Sequence, residues 1–156
     1  MNARTKSVAP APLEAHLGFW LRFVSNHVSQ RFQQLLEKEG VTVTEWVALR
    51  TLWSQDGITH GALIQALGMT KGATSKVVTR LEEKGLAGRQ LADGQARVQS
   101  LGLTAEGLAL VPRLAALADA NEAHFFGHLS ASERQMLSQS MRALVLHHQF
   151  KDIPTT

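Results

Sequence analysis

The sequence contains no cysteine among its 156 residues, and this absence removes several kinds of chemistry at once. It excludes a disulfide framework, a thiolate nucleophile, a thiol redox sensor and a zinc site built on cysteine. The amino-terminal residues 1–12 are not followed by an apolar run long enough for a signal peptide or a membrane span. We therefore expect residues 1–12 to be a disordered lead-in, and we expect a cytoplasmic protein without a membrane partner.

The sequence also lacks the short motifs that usually mark a catalytic site. Serine, histidine, aspartate and glutamate are all present, but none of them lies in a nucleophile elbow, a phosphate-binding loop or a metalloprotease motif. The sequence therefore predicts a protein that is not an enzyme, with no catalytic residues and no cofactor.

The sequence has no excess of positive charge except in one segment, residues 57–104. The chain has 16 basic and 13 acidic side chains, which gives a formal net charge of +3. The segment holds six of the basic residues against three acids, so the rest of the chain has ten of each. A neutral body with a local basic module is typical of a protein that binds the phosphate backbone of nucleic acid. The six basic residues of the segment are Lys71, Lys76, Arg80, Lys84, Arg89 and Arg97.

The spacing of apolar residues predicts four helices in the first half of the chain. Apolar residues recur every three or four positions over residues 13–38, which is the pattern of an amphipathic helix. Thr42 and Glu45 form a capping-box pattern that predicts the start of a second helix. Thr59 and Thr70 are placed to cap a third and a fourth helix.

A short β-hairpin and two further helices are predicted in the second half. Alternating segments at 86–91 and 97–103 flank an Ala-Asp-Gly tip, which indicates a two-stranded hairpin. Thr104 opens a fifth helix, and Ser130 with Glu133 forms the capping box of a sixth. The predicted fold class is therefore mainly α with a small β-hairpin.

The fourth predicted helix has one apolar and one cationic face when residues 70–81 are placed at 100° intervals. The apolar arc consists of Ala73, Val77, Val78 and Leu81. The opposite arc, which is free of acidic residues, consists of Lys71, Gly72, Ser75, Lys76, Thr79 and Arg80. Such a face fits the major groove of DNA, where Lys and Arg reach guanine and phosphates and Ser and Thr bond to several base edges. The alternative is a solvated surface whose charges serve solubility.

The run LGMTKGATSKVVTRLEEKGLAGR followed by LGLTAEG resembles the core of the MarR family of winged helix-turn-helix transcription regulators. The resemblance makes the helix that begins at Thr70 the recognition helix, and the hairpin the wing that enters the adjacent minor groove. The boundaries that it implies are residues 13–148 for a single domain, 42–104 for its winged helix-turn-helix core, 13–39 and 104–148 for the dimerisation helices, and 149–156 for a tail.

The resemblance also assigns candidate DNA-binding residues. Arg97 matches the second basic residue of the family's Asp-Arg-Arg-like wing motif, counted back from Leu103 and Thr104. At the other two positions of that motif the sequence has Gln95 and Ala96, so the wing departs from the family pattern. The DNA-binding residues predicted from the helix face and the resemblance together are Thr70, Lys71, Gly72, Ser75, Lys76, Thr79, Arg80 and Arg97.

The first and last helices carry broad apolar faces that a small winged domain cannot cover. A single copy would leave a large exposed apolar patch, and a two-fold homodimer would bury it. Such a dimer sets two recognition helices about one DNA turn apart, roughly 34–36 Å, which predicts a pseudo-palindromic operator in double-stranded DNA.

Three tryptophans, Trp20, Trp46 and Trp53, are candidates for an effector site. The resemblance implies a cleft for a small-molecule effector between the dimerisation helices and the winged domain, while core packing is the alternative for each tryptophan.

His124 and His128 are four residues apart on one helix face, a spacing that can hold a metal. Because no cysteine or acidic residue lies at a convincing spacing from them, we predict no metal site.

The residues and the resemblance together predict a sequence-specific DNA-binding transcriptional regulator. By resemblance it is a homodimeric repressor that a small molecule releases from DNA, with aromatic acids as one candidate class. Two alternatives stay open, a winged helix that binds a protein partner and a metal-responsive regulator. A protein-binding version would more often expose aromatic or aliphatic anchors on the outer face of the fourth helix.

Overall fold

The computed structural model describes residues 9–55, 57–91, 99–151 and 154–155. These residues form a mainly helical fold with a small antiparallel sheet, which confirms the predicted fold class. A short 3-10 turn, Leu13–Ala15, precedes the first helix. The elements that follow are α1 (Leu17–Lys38), α2 (Val43–Ser54), β1 (Ile58–Thr59), α3 (His60–Leu67), α4 (Lys71–Glu83), β2 (Ala87–Leu91), β3 (Gln99–Leu103), α5 (Ala105–Phe126) and α6 (Ala131–His148).

The predicted helix caps are confirmed. The hydroxyl of Thr42 accepts a hydrogen bond from the backbone N–H of Glu45 at 3.2 Å, and the Glu45 carboxylate accepts one from the Thr42 N–H at 2.9 Å. Ser130 and Glu133 form the same reciprocal pair at the start of α6. There the hydrogen bond from the backbone N–H of Ser130 to the Glu133 carboxylate lowers the pKa of that carboxyl group below its usual value.

The first helix begins later than its apolar pattern predicts. Residues 13–15 form a 3-10 turn, and His16 has an extended backbone with φ −101° and ψ 127°. This extended residue separates the turn from α1, which starts at Leu17. The predicted unbroken helix over residues 13–38 is therefore wrong in its first turn, because apolar spacing reports a shared face and not the conformation of each residue.

The sheet has three strands in the order β1-β3-β2, whereas the sequence predicted a two-stranded hairpin. Strands β2 and β3 pair antiparallel from Ala87 opposite Leu103 to Leu91 opposite Gln99. The additional strand, β1, pairs its Ile58 with Leu101 of β3. Two residues are too few to produce an alternating pattern, so only the pairing with β3 defines this strand.

The hydrophobic core lies where α2, α3 and α4 meet the sheet, the end of α1 and the first half of α5. Gly107, in the first turn of α5, is buried against the backbone of Leu86. A Cβ atom at this position would overlap the Leu86 carbonyl oxygen, so only glycine fits without a shift. The largest fully buried apolar side chains are Leu36, Leu49, Leu63, Leu67, Leu81, Leu101, Leu114, Val78 and Val111.

One buried polar side chain connects α1 to α5. Asn121 accepts a hydrogen bond from the Arg31 guanidinium at 3.0 Å and donates one to the carbonyl of Val28 at 3.1 Å. Both ends of the Asn121 amide are therefore satisfied inside the protein, as a buried polar group requires. These bonds hold the two long helices in one register.

Broad apolar faces remain exposed in a single chain. No residue of α6 is buried, although its apolar side chains recur at helical spacing. The amino-terminal half of α1 is exposed in the same way, and Leu108 of α5 is half exposed. The large apolar side chains exposed on α1 and α6 are Leu17, Trp20, Leu21, Phe23, Val24, Met136, Leu137, Met141, Leu144, Val145 and Leu146.

Candidate nucleic-acid interface

Helices α3 and α4 form a helix-turn-helix unit. Gly68 ends α3 in the left-handed region, with φ 61°, where a residue without Cβ is favoured. Thr70 then starts α4, and its hydroxyl accepts a hydrogen bond from the backbone N–H of Ala73 at 3.2 Å. A left-handed glycine followed within two residues by a cap lets the chain change direction sharply, which positions α4 against α3.

The inner face of α4 packs into the core as its pattern predicts. Val77, Val78 and Leu81 are buried, and Ala73 is half-buried. Thr74 is also fully buried, although the sequence analysis did not place it on the apolar arc. Thr74 lies three, four and seven residues before the buried Val77, Val78 and Leu81, a spacing that places it on the same helix face. A pattern of apolar residues does not include it, because threonine is polar.

The outer face of α4 presents the predicted polar and cationic side chains to solvent. Lys71, Gly72, Lys76, Thr79 and Arg80 are exposed, and Ser75 is half-buried. A shallow concave surface of about 330 Å³ is lined by Ser75, Lys76, Thr79, Arg80 and Glu83. Thr70, which caps the helix, is exposed beside Lys71. The role in DNA binding that the sequence assigns to Thr70, Lys71, Gly72, Ser75, Lys76, Thr79 and Arg80 stays a prediction.

Two of the five basic residues that the structure describes in this segment are occupied by ion pairs within the protein. The Nζ atom of Lys84 lies 2.7 Å from Oε2 of Glu45, and the Nε atom of Arg89 lies 2.8 Å from Oε1 of Glu82. Among the described residues, the three cations of the outer face form no ion pair. Lys71, Lys76 and Arg80 are thus the described cations of the segment that remain available to an anionic partner.

A contact that the sequence does not predict joins α3 to the outer face of α4. The hydroxyl oxygen of Ser75 lies 3.3 Å from Nε2 of His60. No sequence signal could have found this contact, because it depends on the angle between the two helices.

The wing is described only in part. Strands β2 and β3 are present, and the predicted residue Arg97 lies outside the described residues, as do Gln95 and Ala96. Its role in DNA binding stays a prediction.

The three tryptophans differ in their surroundings. Trp46 is half-buried and its ring packs edge-on against Phe32, with 6.2 Å between ring centroids. Trp20 and Trp53 keep 49% and 43% of their surface exposed, so core packing does not account for them within one chain. The indole N–H of Trp20 donates to the carbonyl of Glu14 at 2.9 Å. Another concave surface, which lies on α6, contains no tryptophan.

His124 and His128 are exposed, and within the described ranges no group of three or more potential metal ligands lies close enough together to hold an ion. Across the same part of the chain, no helix combines the length and the apolar character needed to cross a membrane.

Comparison with known proteins finds a family match over part of the chain. The family model described as "MarR family" matches residues 41–91, which include α2, α3, α4 and β2. The chain is 28% identical over 131 residues to the HTH-type transcriptional repressor Rv2887 of Mycobacterium tuberculosis, an alignment that covers 84% of this chain and 94% of that protein. It is also 28% identical over 109 residues to the transcriptional regulator HosA of Escherichia coli, with 70% and 81% covered.

The fold is similar to that of MepR from Staphylococcus aureus, solved as a MepR–DNA complex. The TM-score is 0.73 at 25% sequence identity, and the match covers 85% of this chain and 98% of MepR. The helix-turn-helix geometry, the matched family model and these relatives agree with the resemblance inferred from the sequence. Residues 41–91 therefore match the MarR family, and the relatives that the chain resembles are transcriptional regulators.

Proposed function

We propose that this protein is a homodimeric repressor that binds a specific DNA operator through the outer face of α4. The observation that carries the proposal is the exposed surface formed by Ser75, Lys76, Thr79 and Arg80. Its cations are not neutralised by any described carboxylate through an ion pair, and its hydroxyl groups suit base edges in the major groove. Thr70, Lys71 and Gly72 extend the surface to the helix amino terminus, whose free N–H groups suit a phosphate.

The exposed apolar faces of α1 and α6 support the homodimer. Most of the stability of a helix in a protein comes from the packing of its apolar face, yet the described part of the chain buries no residue of α6. A second copy of the chain would cover these faces and place two α4 helices on one side of the dimer. This arrangement fits two half-sites about one helical turn apart, roughly 34–36 Å, in a pseudo-palindromic operator.

Release by a small molecule completes the proposal. A ligand held near Trp20, Trp46 and Trp53 would shift the dimer toward a spacing of the two recognition helices that no longer fits successive major grooves. Trp53 and Trp20 offer exposed aromatic surface, and the Arg50 guanidinium lies 5.8 Å from the centroid of the Trp46 ring. An aromatic acid suits such a surface, because its ring can stack and its carboxylate can pair with arginine.

The experiment that tests the function is a fluorescence-anisotropy titration. The purified protein is titrated against its own upstream intergenic DNA and against an unrelated duplex, at several salt concentrations. We expect selective binding, a steep dependence on salt and two chains per duplex at saturation. Equal, weak binding to both duplexes would contradict a sequence-specific regulator and would favour the protein-interaction alternative.

Lys76→Ala is expected to weaken binding to the preferred duplex by about 1–3 kcal/mol, because Lys76 lies in the middle of the outer face and is free to contact a base. Lys38→Ala serves as the control, since Lys38 is an exposed lysine at the end of α1 and does not line this concave surface. The same titration measures both variants. Equal affinities for Lys76→Ala and Lys38→Ala, with both proteins folded, would show that the recognition face has been misplaced.

Gly72→Ala is expected to increase the stability of the protein and to weaken its binding to DNA. An added Cβ meets nothing within 4 Å in the protein, so helix propensity alone predicts a gain of about 0.5–1 kcal/mol in the free energy of unfolding. The same Cβ would project into the gap between the helix and the DNA and weaken binding. Gly61→Ala in α3 is the matched control, because its site is equally open and Gly61 is not on the proposed DNA-binding face. If Gly72→Ala binds DNA as tightly as Gly61→Ala, the helix amino terminus does not closely approach the duplex.

A further inference from the structure

Ser75 has contacts on two sides. Its hydroxyl oxygen lies 3.3 Å from Nε2 of His60, and both side chains are half-buried. The same residue lines the concave surface beside Lys76 and Thr79. Ser75 therefore presents one hydroxyl group both to His60 and to the surface that is proposed to meet the DNA.

The contact with His60 limits what Ser75 can offer to a base. A serine hydroxyl has one proton to donate, and its oxygen has two lone pairs. When Nε2 of His60 accepts that proton, Ser75 presents only lone pairs, which suit the amino group of adenine or cytosine. When Nε2 carries a proton and donates it, the hydroxyl proton is free for an acceptor such as O6 or N7 of guanine.

The backbone of His60 is held from two directions. It follows β1 directly, and Thr59 of β1 pairs with Ser100 of β3. The Thr59 hydroxyl also accepts a hydrogen bond from the N–H of Ala62 at 3.1 Å, which fixes the start of α3. The backbone of His60 is thereby held between the sheet and the first turn of a helix, which fixes the point from which the imidazole extends toward Ser75.

We propose that His60 is a positioning residue that orients the Ser75 hydroxyl and thereby sets the base preference of α4 at the position that Ser75 meets. His60 acts through Ser75 and does not itself contact the DNA. The inference rests on the proposed function, since it assigns a specificity determinant to the same surface.

The test compares the base preferences of four proteins, which are the wild type, His60→Ala, Ser75→Ala and the double variant. Each is used to select from a pool of DNA duplexes with a randomised central segment, and the bound duplexes are sequenced. Affinities are then measured for duplexes that differ at the base pair where Ser75→Ala changes the selection. We expect His60→Ala to reduce the preference there by about threefold to tenfold, and to have no further effect in the Ser75→Ala background.

Two further results complete the expectation. His60→Gln should restore the wild-type preference, because its side-chain amide offers both a donor and an acceptor to the Ser75 hydroxyl. The salt dependence of binding should be the same for His60→Ala and the wild type, since no phosphate contact is lost. Thermal unfolding of each variant verifies that it is folded.

Independent, additive effects of His60→Ala and Ser75→Ala would overturn the inference. So would a uniform loss of affinity for all duplexes with a shallower salt slope, which would place His60 directly on a phosphate. If the wild type enriches no sequence, the proposed function fails and the inference fails with it. Strong enrichment by the wild type with an unchanged preference in His60→Ala overturns the role of His60 alone.

Discussion

Replacing Gly107 with alanine is expected to lower the free energy of unfolding by about 3 kcal/mol. The added Cβ would overlap the carbonyl oxygen of Leu86 and lie 3.1 Å from its carbonyl carbon. That carbonyl also accepts a hydrogen bond from the N–H of Thr104 at 3.1 Å, so it cannot move away without loosening the junction between the sheet and α5. Urea unfolding followed by circular dichroism measures the loss, at one fixed protein concentration because a dimer's stability depends on it.

The Gly61→Ala variant serves as the control for this prediction too. Gly61 also lies in the first turn of a helix, but a Cβ there meets nothing within 4 Å. It should be as stable as the wild type or more stable by about 0.5–1 kcal/mol. A Gly107→Ala protein that unfolds at the same urea concentration as Gly61→Ala would contradict the close packing of α5 on Leu86.

Replacing Lys84 with methionine is expected to cost about 2–3 kcal/mol of stability. The Glu45 side chain is 1% exposed, and its Oε2 atom accepts from Lys84 Nζ at 2.7 Å, so removal of the cation leaves a buried carboxylate without its counter-charge. The expected loss is below the roughly 3–5 kcal/mol that follows from breaking a fully buried pair, because the Lys84 side chain is 38% exposed and partly screened by water. Lys84 Nζ also donates to the carbonyl of Gly40 at 2.7 Å, a bond that is lost as well.

Arg113→Met is the matched control for Lys84→Met. Arg113 pairs with Glu39 at 2.6 Å, but its side chain is 68% exposed, and exposed pairs contribute about 0–1 kcal/mol. A second comparison is Glu45→Gln combined with Lys84→Met, which removes the buried charge and should recover part of the loss. Urea unfolding measures the free energy of unfolding of these variants. Equal losses in Lys84→Met and Arg113→Met would show that burial of Glu45 does not make its ion pair more important for stability.

The helices and their caps could be predicted from the sequence because the signals are local. Thr42, Thr59 and Thr70 each cap a helix as predicted, since a cap depends on residues within one turn of it. The two faces of α4 were also separable in advance, because side chains three and four residues apart share a face in any helix. The same local run carried the resemblance to the MarR family, which the comparisons bear out.

Other features depend on where separate elements meet. The sequence listed Lys84 and Arg89 among the basic residues of the segment, and only the structure shows that each is engaged by a carboxylate of the protein. Strand β1 was missed because two residues acquire strand character only through pairing with β3. The start of α1 was misjudged because the extended backbone of His16 leaves the apolar pattern unchanged.

The sequence by itself determined the order of the helices, most of their boundaries, the cationic face of α4 and the resemblance to the MarR family, since each is encoded within a few consecutive turns of chain. The tertiary structure decided which charges stay free on that face, that His60 reaches Ser75, and that Gly107 has no room for a side chain. It also decided that α6 is left without a covering partner in one copy. The physical reason is that ion pairs, hydrogen bonds between helices and steric exclusion depend on distances across the fold, which local periodicity does not specify.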